Sequence, residues 1–231
     1  MTEIAEVTEE VDGGIQDRRV VEVDGWTNFN TDDELLRSDN AHEVAKRDIY
    51  PKLFTPCDHR GIAPRGELIY TNGIQDGGKA LEEDRSEGID TTIWWKADRY
   101  GDRQIATPIT TIQERSRHPK FSGFGDLTLT YINPTGVVGD FFKCRAEFYL
   151  YGFFDLEKKR FDSAYLIQKS GLFRFIIGHR KGVQVQTNDK GQEFLAVKLN
   201  TLRDAGIIKW EQLSDSQEKF LDTLPYQMQA I

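Results

Sequence analysis

The sequence has few cysteines and no long apolar run. Only Cys57 and Cys144 occur among its 231 residues, which is too few for a framework of disulfide bonds, and we expect both to be reduced. No stretch approaches the roughly 18 apolar residues of a membrane-spanning helix. The first residues also lack the basic and then apolar pattern of a signal peptide. These absences predict a cytoplasmic protein with no membrane partner.

The histidines and cysteines do not form the spacing of a structural zinc site. Cys57 is followed by Asp58 and His59, but Cys144 and the other three histidines supply no second closely spaced pair. Because structural zinc takes four ligands, commonly in two such pairs, the sequence argues against this metal.

Basic residues are not in overall excess, since 30 Lys and Arg stand against 38 Asp and Glu. The acidity is concentrated in residues 1–40, which hold 12 acidic and 3 basic residues and leave 26 acidic and 27 basic residues in 41–231. Between Lys143 and Lys181, nine basic residues stand against four acidic ones. Such an excess is typical of a solvated face or of a surface that follows phosphates. A nucleic-acid partner therefore stays open.

The length suits one sizeable domain. Residues 1–24 are rich in acidic residues and have no apolar period, which predicts a flexible acidic leader followed by a single domain over 25–231. A first helix is predicted from about Asn40 to Leu53, with its cap at one of the polar residues 38–40.

Runs of β-branched and aromatic residues predict strands. We expect an antiparallel hairpin from residues 89–96 and 105–117, and further strands at 68–70, 127–132, 163–168 and 194–199. A short amphipathic segment is expected at 172–177, and small helices are expected from Thr201 and at 214–221. The most apolar stretch, Phe141 to Phe154, has no decisive period and is predicted as a helix. The pattern predicts an α/β (α+β) fold with a mixed central sheet flanked by helices.

Polar residues stand at matching places of the predicted hairpin. Asp90 opens the first strand, and Gln113, Glu114 and Arg115 follow 23 to 25 residues later on the second. Residues i and i+2 of a strand share a face, so Gln113 and Arg115 should point the same way, with Arg117 extending the row. Glu114 should face the other side. Oxygen ligands for Mg²⁺ together with a cation are what phosphodiester cleavage requires.

These residues resemble the PD-(D/E)XK nuclease superfamily, whose core places an Asp on one strand and Glu/Gln-x-Lys on its neighbour. The similarity is closest to a branch with Gln-Glu-Lys-x-Arg, then Gly-Asp and a strand, then an aromatic segment containing Lys. Here the corresponding elements are residues 113–117, Gly125-Asp126, and Lys143 through Tyr151-Gly152. The resemblance covers about residues 40–200 and implies a restriction-endonuclease-like core.

The resemblance implies a catalytic set of Asp90, Gln113, Glu114 and Arg115. Asp90 with Gln113 or Glu114 would bind Mg²⁺ or Mn²⁺, and no small-molecule cofactor is implied. Arg115 stands where the family usually has its catalytic Lys. Because Arg stays charged, it cannot act as a general base and is limited to orienting a phosphate or stabilising charge.

Further residues are candidates by the same resemblance or by their charge. Glu43, Asp48 and Asp126 are candidate accessory acids, but a solvated carboxylate for the first two and a turn residue for Asp126 are the favoured interpretations. Residues expected to contact nucleic acid are Arg117, Lys120, Lys143 and Arg145. Tyr149 and Tyr151 are expected to pack in the core rather than to stack on bases.

The leading hypothesis is a metal-dependent DNA endonuclease, restriction-like or from a mobile element, that hydrolyses phosphodiester bonds. One alternative is a catalytically weak or inactive nucleic-acid-binding protein on the nuclease fold, which Arg115 favours. The other is an acidic adaptor whose leader binds a basic partner. DNA is the expected partner, and a homodimer is the usual arrangement for enzymes that cut both strands.

Overall fold

The computed structural model of the protein describes residues 32–57, 61, 65–72, 87–97, 106–133, 135–179, 182–188 and 191–213. The predicted leader (residues 1–24), the turn of the predicted hairpin and the predicted helix at 214–221 lie outside these described residues. The division into a leader and one domain stays a prediction.

The described residues form five α-helices and nine strands. The helices are α1 (Asp32–Val44), α2 (Tyr50–Phe54), α3 (Asp140–Lys143), α4 (Lys169–Gly178) and α5 (Leu199–Asp204), with a π-helical turn (Ala45–Ile49) between α1 and α2 and a 3-10 helix (Pro119–Phe124). The strands are β1 (Gly66–Asn72), β2 (Thr91–Ala97), β3 (Ala106–Arg117), β4 (Asp126–Ile132), β5 (Phe148–Asp155), β6 (Arg160–Gln168), β7 (Val183–Thr187), β8 (Glu193–Lys198) and β9 (Ile208–Gln212).

A six-stranded sheet has the order β1-β2-β3-β5-β6-β9 and a three-stranded sheet has the order β4-β8-β7. All neighbouring strands are antiparallel except β3 and β5, which run parallel and are joined by a crossover through the 3-10 helix, β4 and α3. The predicted hairpin is confirmed by the antiparallel pairing of β2 with β3, in which Thr91 lies opposite Ile112. The protein therefore has the predicted α+β class, with a mixed central sheet.

The large sheet is buried on both faces. On one face, Tyr149 and Tyr151 of β5 belong to a core cluster that includes Leu127 and Leu129 of β4. On the other face, α1 packs against β3 and β5 through a second cluster: Ala41, Val44, Ala45, Ile49, Tyr50, Ile93, Ile112, Leu150, Phe154, Phe161, Ala164 and Leu166. Side chains of β3 thus point either into the layer between the two sheets or towards α1.

The predicted helix at Phe141 to Phe154 is wrong. Only Asp140–Lys143 is helical, and Phe148–Asp155 is the central strand β5. Burial on both sheet faces makes the sequence of such a strand continuously apolar, so it has no period that distinguishes it from a buried helix.

The first helix begins earlier than predicted. It starts at Asp32 rather than near Asn40. The first two turns could not be recognised from an apolar period, because residues 33–36, 38 and 39 are exposed. Asn40 is not a cap, since its Nδ2 donates to the Leu36 carbonyl at 2.7 Å within the helix. Among the described residues, no helix has the length and apolar character needed to cross a membrane.

Candidate functional site

The structure brings Asp90 and Gln113 together beside the first residues of β2. The Asp90 backbone N–H donates to the Ile112 carbonyl at 3.0 Å, which continues the pairing of β2 with β3 by one residue. One oxygen of its carboxylate, Oδ2, accepts from Gln113 Nε2 at 2.9 Å and from the Glu114 backbone N–H at 2.6 Å. One side-chain donor and one backbone donor of β3 therefore fix the orientation of this carboxylate.

The nitrogen of the Gln113 side-chain amide has a hydrogen-bond partner, whereas the oxygen has none among the described residues. Its Nε2 bonds to Asp90, and its Oε1 is buried. Gly88 lies next to this oxygen: a Cβ at that position would sit 2.9 Å from Oε1, and the Gly88 φ of +60° also disfavours a side chain. Leaving a buried amide oxygen unpaired costs about 1–3 kcal/mol, so this atom is a candidate ligand oxygen.

A row of cationic side chains continues along β3 from Gln113. Arg115 is exposed and its Nη2 lies 3.5 Å from Thr130 Oγ1 on β4. Arg117 Nη1 donates to the Tyr151 hydroxyl at 3.2 Å and lies 3.6 Å from Asp126 Oδ1. The predicted shared face of Gln113, Arg115 and Arg117 is confirmed, and buried Tyr151 packs in the core as expected.

The sequence reasoning missed Cys144 and Tyr149, which lie near Asp90, and Lys169, which contacts Cys144. Burial raises the pKa of the Cys144 thiol and, more strongly, that of the Tyr149 hydroxyl, and the nearby Asp90 carboxylate adds to both shifts. Lys169 donates from Nζ to the Cys144 carbonyl. They come from α4, β5 and the segment before β5, so no short sequence motif joins them to Asp90.

Glu114 faces the opposite side of the sheet, towards α1. Its carboxylate accepts from Tyr50 and Thr91 hydroxyls, each at 2.7 Å, and lies 2.9 Å from His42 Nδ1. Asn72 Nδ2 lies 3.2 Å from the other ring nitrogen of His42. The Glu114 side chain thus anchors α1 to the sheet, while only its backbone N–H reaches Asp90.

The electrostatic state of this buried network follows from its contacts. Burial favours the neutral form of both Glu114 and His42, but their mutual hydrogen bond and attraction outweigh it. The pKa of Glu114 is held below its usual range, and that of His42 is raised above 6.5, with Lys46 opposing and Glu43 supporting the latter shift. The pair is therefore ionic around pH 6.

The contribution of this pair to stability should accordingly decline as the pH rises above 6.5. The raised pKa of His42 contributes stability that is fully present below its ordinary value of 6.5 and lost as the pH passes the folded value. The lowered pKa of Glu114 contributes stability that is present above its ordinary range and lost only in acid. Urea unfolding of wild type and His42→Gln from pH 5 to 8.5 measures this effect. An identical pH dependence in the two proteins would contradict the assignment.

The predicted accessory acids form ion pairs with residues other than Asp90 and Gln113, and the remaining predicted DNA-binding residues are exposed. Glu43 pairs with Lys46 and Asp48 with Arg47 on exposed helical surface. Asp126 is buried at the start of β4 near Arg117, further along the row. Lys120 and Lys143 are exposed, and Arg145, also exposed, lies 3.6 Å from Glu87.

The donor set beside Asp90 fits a hydrated Mg²⁺ or Mn²⁺ held by few protein ligands. In the described ranges no group of three or more His, Cys, Asp or Glu residues is placed to hold a metal ion. Mg²⁺, however, keeps several waters and is often bound through one or two carboxylates plus substrate phosphates. The Asp90 carboxylate and the unpaired Gln113 Oε1 are oxygen donors of the required kind.

Comparisons with known proteins add no assignment: no protein-family model matches the chain, and neither the curated proteins nor the solved structures contain a significant match.

Proposed function

We propose that the protein is a metal-dependent DNA endonuclease with a restriction-endonuclease-like core. The observation that carries the proposal is the contact between the Asp90 carboxylate and the Gln113 amide, with Arg115 on the same face of β3. These are an acidic oxygen, an amide oxygen and a permanent cation, the groups that phosphodiester hydrolysis by a bound divalent ion employs.

In this proposal Asp90 and Gln113 would hold the ion, which when bound activates water and neutralises charge on the phosphate. The hydrogen bond from the Glu114 N–H keeps the Asp90 carboxylate oriented. Arg115 binds the scissile phosphate and stabilises the charge that develops on it. Since a guanidinium does not deprotonate in proteins, no side chain at this position takes a proton from water, and we expect slow cleavage.

The neighbouring cations extend the positively charged surface that begins at Arg115. Arg117 and Lys120 follow Arg115 on β3 and the 3-10 helix. Positive side chains spaced along one edge contact successive phosphates and make affinity fall as salt rises. DNA is therefore the substrate class that this face suits, despite the net charge of −8 for the whole chain.

Incubation of the full chain with supercoiled plasmid tests the proposal directly. With Mg²⁺ or Mn²⁺ the protein should convert supercoiled DNA into nicked and linear forms, and EDTA should stop the reaction. An inactive protein that still binds DNA in a gel-shift assay would overturn the proposal and support the second candidate.

That second candidate is a DNA-binding protein that does not cleave. It is favoured by the position of Glu114, whose carboxylate lies on the face opposite to Gln113 and leaves Asp90 as the carboxylate beside that amide. Wild type and Asp90→Ala would then bind DNA equally and both leave the plasmid intact in Mn²⁺.

A further inference from the structure

An exposed aromatic platform lies at the end of the cationic row. The 3-10 helix that follows β3 carries Phe121 and Phe124, whose rings stack with centroids 6.4 Å apart and an interplanar angle of 25°. Phe121 packs against the core, whereas Phe124 is 59% exposed. The outer ring lies beside the inner one and presents much of its surface to solvent.

Two cations lie over the inner ring of this platform. The Arg117 guanidinium lies 4.6 Å and Lys120 Nζ 5.0 Å from the centre of the Phe121 ring. Lys198, which is exposed, donates from Nζ to the Phe124 backbone carbonyl at 2.7 Å. The acidic residue opposite Lys198 in the sheet register, Asp126, is buried and directed at Arg117.

The two glycines that flank Phe124 border open space. A Cβ added at Gly123 or Gly125 would meet no heavy atom within 4 Å. Gly125, with φ +58°, ends the 3-10 helix and turns the chain into β4.

We propose that Phe124 stacks on an unpaired base, so that the protein binds single-stranded DNA, or the unpaired portion of a branched DNA, along Arg115, Arg117 and Lys120. An exposed aromatic ring beside cations fits a base and its flanking phosphates. The ring contacts a base face only when that base is out of the duplex stack, which selects single strands. This inference rests on the proposed function for the identity of the polymer and adds its strandedness.

Binding of a labelled 15-nucleotide oligo-dT and of a duplex of equal length, measured by fluorescence anisotropy in EDTA, tests the proposal. Wild type should bind oligo-dT more tightly than the duplex. Phe124→Ala should weaken oligo-dT binding about tenfold and change duplex binding less than twofold. Phe124→Trp should bind oligo-dT as tightly as wild type does. Lys120→Gln should reduce the slope of log affinity against log salt for oligo-dT by about 0.7.

Ile177→Ala is the matched control, because Ile177 is a similarly exposed apolar residue (57%) on α4. It should bind oligo-dT as wild type does. Equal oligo-dT affinity of wild type and Phe124→Ala would overturn the inference, as would equal weakening for oligo-dT and duplex. The EDTA assay is independent of cleavage: a protein that shows the Phe124 effect but never nicks plasmid keeps this inference and loses the proposed nuclease activity.

Discussion

Replacing Asp90 by Asn should abolish metal-dependent DNA cleavage while preserving the fold and DNA binding. Asn keeps an oxygen that can accept from Gln113 Nε2 and from the Glu114 N–H, both of which donate to the carboxylate in the wild type. It removes the negative charge that would hold a divalent ion at the proposed site. A loss of several kcal/mol of transition-state stabilisation corresponds to about a thousandfold slower nicking. The initial rate of plasmid nicking in Mn²⁺ measures this change.

Asp204→Asn is the matched control for the same chemical change. Asp204 is exposed at the end of α5, and its variant should nick plasmid at the wild-type rate. A gel shift in EDTA should show equal DNA affinity for all three proteins. Nicking by Asp90→Asn at a rate close to wild type would remove Asp90 from the site.

Replacing Glu114 by Ala should produce the largest loss of stability of any change discussed. The substitution removes the acceptor for His42, Tyr50 and Thr91 together. It leaves a buried imidazole without its counter-ion and two hydroxyls without their partner. Breaking a buried ion pair on one side costs about 3–5 kcal/mol, and urea unfolding at pH 6 measures the loss. Glu114→Gln, which retains an acceptor oxygen, should cost less.

Glu67→Gln provides the comparison with a surface ion pair. Glu67 is exposed and pairs with Lys96 across β1 and β2 at 2.9 Å, so its loss should cost no more than about 1 kcal/mol. A double-mutant cycle of Glu114→Ala with His42→Ala isolates the coupling of the buried pair. A loss for Glu114→Ala no larger than that for Glu67→Gln would contradict an anchoring role for this carboxylate.

Local alternation allowed one part of the site to be predicted from the sequence. The β2–β3 hairpin is rich in β-branched residues, which predicts strands, and the alternation of side chains along a strand places Gln113, Arg115 and Arg117 on one face and Glu114 on the other. The contact between Asp90 and Gln113 follows from the antiparallel pairing of two adjacent strands, which is a short-range feature of the chain.

The rest of the site depends on contacts between distant residues. His42 and Glu114 are 72 positions apart. Lys169, on α4, contacts the Cys144 carbonyl across 25 positions. One signal was nevertheless present. Glu114 shares its strand face with the apolar Ile112, and an acidic residue on a core-facing row requires buried partners. The strand nature of Phe148–Asp155 had no such signal, because a strand buried on both faces has no polar period.

The direct test of the account is Mn²⁺ binding by the full chain, followed by electron paramagnetic resonance in the absence of DNA. Wild type should bind one ion per chain, Asp90→Asn should lose this binding, and Gln113→Ala should weaken it because the unpaired Oε1 is removed. Gly88→Ala should also weaken it, since the added Cβ would lie 2.9 Å from that oxygen. Equal Mn²⁺ binding by wild type and Asp90→Asn would contradict a metal site at Asp90 and Gln113.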